Sequence, residues 1–143
     1  MTDDRLDLVD WTHFERSWSE LGANFIRILN YFREDGAKGL AEIEAAMHEG
    51  NTVGLVLPAH TLKGESRQIG ATLLADTAEI IEQTARSCIE THRFPDELVA
   101  DVVRLRQRYT ATMELFDLAT NPLQVRRNEL AERGIANQDF GRL

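Results

Sequence analysis

Cysteine occurs once in this 143-residue chain, at Cys88, so no internal disulfide holds the fold. Proline occurs three times, and the long stretches rich in Leu, Ala, Ile, Glu and Arg favour helix over sheet, because most of these residues lose little side-chain freedom in a helix. Positive charge is also scarce. The formal charge of −8 argues against nucleic acid as the main partner, since affinity for a phosphate backbone comes from concentrated Lys and Arg. The start, Met1-Thr-Asp-Asp-Arg-Leu-Asp, has neither a basic flank nor an unbroken apolar run, so it resembles neither a signal peptide nor a membrane span, and a cytoplasmic protein is expected. The four histidines are too widely spaced to suggest a metal site, and there is no glycine-rich phosphate loop, internal repeat or low-complexity tract.

What is present is a 43% hydrophobic fraction, enough for one ordinary core. Asp10 can cap a short helix from Trp11, with Phe14 and Trp18 four residues apart on one side. A long helix follows from Leu21 to Gly50-Asn51, carrying Phe25, Ile28, Leu29, Phe32, Leu40, Ile43 and Met47, with Gly36 a possible kink. A third helix is expected over Thr52 to Ile69, with Pro58 inside it and Gly70 as its cap. A fourth, about Ala71 to Thr91, places Leu74, Ala78, Ile81, Ala85 and Cys88 on one stripe, which makes Cys88 a buried structural thiol. Pro95 stops that helix and can open a fifth, which carries Leu98, Val102, Leu105, Tyr109, Met113 and Phe116 until Asn121-Pro122. Short connections between long helices favour antiparallel neighbours. The expected fold class is all-α, an antiparallel up-down four-helix bundle with an additional short N-terminal helix. It occupies residues 1–120, and 121–143 form an extension that is partly helical or flexible.

On the third helix, at about 100° per residue, Leu55, Leu62 and Ile69 cluster on one side, and His60 stands nearly opposite with Val53, Leu57, Gly64 and Arg67. The core claims the first group. Val53 and Leu57 therefore frame an outward histidine with apolar surface that the helix does not need for its own stability, which suggests a docking patch. Gly64 costs roughly 1 kcal/mol relative to alanine inside a helix. Either it keeps the face beside the imidazole open to an approaching active site, or it permits a close helix contact.

Lys63 lies three residues from His60 and is one of only two lysines beside 14 arginines. Its ammonium, with Arg67 on the same side, could neutralise a phosphoryl group on the ring. Counting outward from a turn near Gly70-Ala71, His60 is about ten residues before it and Glu82 about eleven after, so the two reach similar heights on antiparallel helices. Glu82 falls at the margin of the apolar stripe, roughly 40° from Ala78. Bonded to one ring nitrogen, its carboxylate would set the tautomer and leave the other nitrogen as nucleophile; a surface glutamate is the plain alternative. His13, His48 and His92 lack such surroundings and read as ordinary surface or helix-end residues.

The run Ala59-His60-Thr61-Leu62-Lys63-Gly64-Glu65-Ser66, followed by Ile69-Gly70-Ala71, resembles the signature of histidine phosphotransfer domains. Leu74, Ala78 and Glu82 suit the apolar and acidic positions of the helix that follows, and the likeness extends loosely over residues 10 to 118. Arg67 stands where the family commonly has a small residue, Pro58 precedes the motif, and the C-terminal extension has no counterpart. The resemblance implies that His60 accepts a phosphoryl group, that Lys63 is its electrostatic neighbour, that Gly64 keeps it accessible and that Glu82 is the carboxylate bonded to it.

The implied function is a phosphocarrier in a two-component phosphorelay. A receiver-domain phosphoaspartate docks on Val53, Leu57 and Gly64, His60 takes the phosphoryl group, and another receiver aspartate takes it onward. Expected partners are response-regulator receivers and a sensor or hybrid histidine kinase, with no nucleic acid and no membrane. No cofactor or metal is expected on this chain, Mg²⁺ being supplied by the receiver. An autophosphorylating kinase would need an ATP-binding domain for which the chain has no room, and intact His60 and Lys63 count against a scaffold that has lost transfer. A monomer is the expected state.

Overall fold

The computed structural model describes residues 8–121 and Leu130. The expected extension lies outside the described residues apart from Asn121 and Leu130. Five α-helices and one 3-10 turn account for the described elements, with no strand among them. They are α1 (Trp11–Leu21), α2 (Ala23–Glu49), α3 (Val53–Gln68), α4 (Thr72–Glu90) and α5 (Val99–Thr120), with the 3-10 turn Asp96–Leu98 before α5. The all-α bundle expected from the sequence is what forms.

The helix ends follow from local chemistry. Asp10 caps α1 by accepting from the His13 backbone N–H at 3.1 Å. Gly22, at φ 56, separates α1 from α2, so the long helix begins two residues later than the apolar pattern suggests. It then runs unbroken through Gly36 to a left-handed cap at Gly50. Gly36 is there for space: a Cβ on it would stand 3.0 Å from the Tyr109 ring. That ring is anchored by its hydroxyl, which donates to the Arg33 carbonyl at 2.7 Å. α3 also continues through Pro58, although proline removes one backbone bond there. Pro95 precedes the 3-10 turn rather than the first α-helical turn.

Gly70 ties the site-bearing helices to α1. Its φ of 84 suits glycine, and the Ala71 N–H closes the end of α3 on the Ser66 carbonyl at 2.8 Å. The Gly70 carbonyl accepts from the Asp10 N–H at 2.8 Å, and a Cβ on Gly70 would crowd the Asp10 oxygen at 3.0 Å. His13 Nε2 lies 2.8 Å from the Gln68 carbonyl, so this histidine helps seat α1 instead of being a plain surface residue.

The chain divides into two compact units, residues 1–112 and 113–143. In the first, cross-contacts reverse direction from helix to helix. Gly36 and Gly39 of α2 face Leu62 and Pro58 of α3, while His60 and Arg67 of α3 face Glu82 and Glu79 of α4. Arg33 and Glu44 of α2 likewise face Tyr109 and Arg106 of α5. These are antiparallel pairings. The core is built from Phe14, Phe25, Phe32, Leu40, Ile43, Leu55, Leu62, Ile69, Leu74, Ile81 and Cys88, all essentially inaccessible to solvent. Each large side chain so buried is worth about 1.5–3 kcal/mol. Exposed Val53 and Leu57 add nothing comparable, so their apolar character needs another cause. In the second unit, the Thr120 hydroxyl donates to the Phe116 carbonyl at 2.7 Å near the end of α5.

Candidate functional site

Leu55, Ala59, Leu62 and Ser66 of α3 are buried, which turns His60 outward on the opposite side. The imidazole is 55% exposed, with Val53 and Leu57 exposed above it along the same face. One turn on, a Cβ at Gly64 would meet no atom within 4 Å. Close helix packing is therefore not what requires glycine here. The open space lies beside the histidine.

Glu82 rises from α4 between these groups and is only 5% exposed. Its Oε2 is 2.9 Å from His60 Nδ1 and 3.0 Å from both Nε and Nη2 of Arg86, while Lys63 Nζ lies 2.7 Å from its Oε1. Burial raises the carboxyl pKa, but the bonds from Lys63, Arg86 and His60, with the Lys63 charge, outweigh it and bring it to about 2. Glu82 is thus an anion at neutral pH and can only accept. Nδ1 must carry the proton, which leaves the lone pair of a neutral imidazole on Nε2.

The pieces singled out in the sequence do not all meet. His60, Lys63, Gly64 and Glu82 come together, with Val53 and Leu57 on the same face. Arg67 turns away to Glu79 at 2.8 Å, toward the Gly70 end of α3. Seven residues span about 10 Å of helix, so a shared face did not bring it to the imidazole. Arg86 was not anticipated, although its position four residues after Glu82 is the spacing at which helical side chains meet.

A carboxylate on α3 was also missed. Glu65 faces Asp35 of α2, and burial, then the Asp35 carboxyl, pushes its pKa up to about 7. Counting about Gly50 would have found it, because residues 35 and 65 lie equally far from that turn. Among the described residues no three His, Cys, Asp or Glu side chains are grouped to hold a metal ion, and no helix is long and apolar enough to cross a membrane.

Comparison with known proteins adds two findings. A family model described as the Hpt domain matches residues 27–115, a span from α2 into α5 that includes His60, Glu82 and Arg86. The fold is similar to the crystal structure of histidine-containing phosphotransfer protein B (HptB) from Pseudomonas aeruginosa PAO1, with a TM-score of 0.68 and 23% identity. That likeness covers 78% of this chain and 93% of the other. No curated protein matches the chain by sequence.

Proposed function

Since the chain belongs to the Hpt domain family, whose role is histidine phosphotransfer in phosphorelays, we propose that His60 is its phospho-accepting residue, taking a phosphoryl group from one receiver domain and passing it to another. The observation that carries this reading is the His60–Glu82 contact of 2.9 Å on an exposed apolar face. It leaves Nε2 as the nucleophile. In the forward step Nε2 attacks phosphorus in line, a P–N bond forms, and the P–O bond to the receiver aspartate breaks as its carboxylate leaves. The ring then carries positive charge, which the Glu82 anion stabilises through the Nδ1 proton. The reverse sequence delivers the group to a second aspartate.

Lys63 holds Glu82 and lies one turn from the imidazole, where its ammonium can also compensate phosphoryl charge. Arg67, committed to Glu79, would serve the surface around the site rather than the phosphoryl group. Val53, Leu57 and Gly64 would form the receiver-docking face. Mg²⁺ and most of the transition-state stabilisation would come from the receiver, so the chain acts as a carrier and not as an autonomous kinase. A sensor or hybrid kinase would feed the relay, and a cytoplasmic monomer, with residues 1–120 as the transfer bundle, is the state in which we expect it to work.

The test is transfer from a phosphorylated receiver domain to the wild type and to His60→Gln, followed by acid and alkali treatment of the product. Label on the wild type alone, lost in acid and kept in alkali, supports the reading. Label on the variant would place the acceptor elsewhere, and no label from any receiver would favour a scaffold.

A further inference from the structure

Between α2 and α3 runs a groove of about 180 Å³ lined by Asp35, Lys38 and Glu42 on one side and by Leu57, Thr61 and Glu65 on the other. It is open partly because α2 has glycine at position 39, where a Cβ would meet only the Pro58 carbonyl, at 3.9 Å. Leu57 belongs both to this groove and to the apolar face around His60, and Thr61 adjoins His60 in the chain. The two surfaces are continuous. A domain seated over His60 and Leu57 would have its edge over the groove.

Charge in the groove is unbalanced, with three carboxyls against the Lys38 ammonium. The Glu65 and Asp35 carboxyls share a hydrogen bond while one of them is protonated, and when both are ionised neither can donate to the other. Glu65 Oε2 is buried without a hydrogen-bond partner. The raised pKa of Glu65, first through burial and then through Asp35, has the same origin. Glu82, across the same helix, holds Lys63 and Arg86 and shows what compensation looks like here.

We propose that this groove receives a lysine or arginine side chain from the receiver domain docked on His60, and so discriminates between receivers by their charge at that edge. The inference rests on the phosphotransfer reading above. A cation entering beside Glu65 and Asp35 would ionise both carboxyls and form charge-assisted bonds in place of the single proton they share, and rim charges of this kind act chiefly on partner choice and association.

The experiment is receiver-dependent labelling of the full chain as a function of receiver concentration, using the receiver that labels the wild type fastest. The nearly isosteric Asp35→Asn/Glu65→Gln double variant is the comparison, with Glu42→Gln as a second probe and helical circular dichroism to verify folding. The double variant should raise the receiver KM about fivefold with little change in kcat, and should weaken the dependence of KM on ionic strength. Alanine substitutions of basic residues on that receiver should include one that raises KM for the wild type but not for the double variant. Unchanged KM and salt dependence in both folded variants would overturn the groove assignment while leaving His60 labelling intact. Failure of the wild type to label with any receiver would instead defeat the carrier reading, and the groove assignment with it.

Discussion

On the α4 side of α3, Glu82 is almost wholly buried, yet its pKa falls to about 2; on the α2 side, the half-buried Glu65 is pushed up to about 7. Burial raises both. The difference lies in the neighbours, since Glu82 meets Lys63, Arg86 and the His60 N–H, whereas Glu65 meets another carboxyl. One flank holds a permanent anion that can orient an imidazole and stabilise its positive form. The other holds an acid that is half-protonated near neutrality, with the Asp35 carboxyl rather than a cation bonded to it.

The largest effect should come from breaking the compensated flank. Glu82→Ala leaves Lys63 and Arg86 without their carboxylate and frees the His60 tautomer. Removing one member of a buried ion pair costs about 3–5 kcal/mol, and the half-exposed Arg86 lowers the expectation here to about 2–3 kcal/mol, read as a fall in urea stability. Transfer to His60 should slow in the same variant. A similar stability with normal transfer would mean that the cluster is not what holds the ring.

Acid and alkali should separate the two carboxylates by sign. The Glu82 contribution is present above its ordinary value of 4.5 and is lost as pH falls toward about 2; the shift corresponds to about 3 kcal/mol. The Glu65 contribution runs the other way, present below 4.5 and lost as pH rises through about 7. Asp35, Lys38 and Glu42 from α2 line the groove with Glu65, and Tyr109 of α5 lies within its electrostatic reach. Urea stability measured across this range should therefore decline at both ends, and Glu65→Gln should flatten the upper decline. At pH 8 that variant should be more stable than the wild type by about 1 kcal/mol, with little difference near pH 4. A variant that behaves alike at both pH values would contradict the uncompensated assignment.

Gly64→Ala sharpens the contrast between stability and access. With no atom within 4 Å of the added methyl, the helix should gain up to about 1 kcal/mol, while labelling by a receiver slows because the space beside His60 is partly filled. Stability lost on this substitution would mean that glycine serves the bundle itself. The smallest change in stability is expected for Arg86→Ala, below about 1 kcal/mol because the guanidinium is 56% exposed. Slower transfer would be its clearer sign.

Much of this was legible in the sequence, because helical periodicity fixes which side of α3 is buried and therefore where His60 points. Asp10, Gly50 and Gly70 marked helix ends through capping chemistry, and equal distance from the Gly70 turn paired His60 with Glu82. Other features depended on side-chain choice. Arg67 could meet Glu79 or lean along its own helix, and a wheel cannot decide between them. The seating of Tyr109 beside Gly36 needed the packing of α2 on α5, which is distant in sequence. Likewise, the Nε2 contact of His13 depends on how α1 folds back onto the α3–α4 turn.

The most direct test of the account is to locate the phosphoryl group on the imidazole by phosphorus and nitrogen NMR of the receiver-phosphorylated protein. The predicted product is His60 phosphorylated at Nε2, with Nδ1 still protonated and bonded to Glu82. Phosphorylation at Nδ1, or on any residue other than His60, would contradict it.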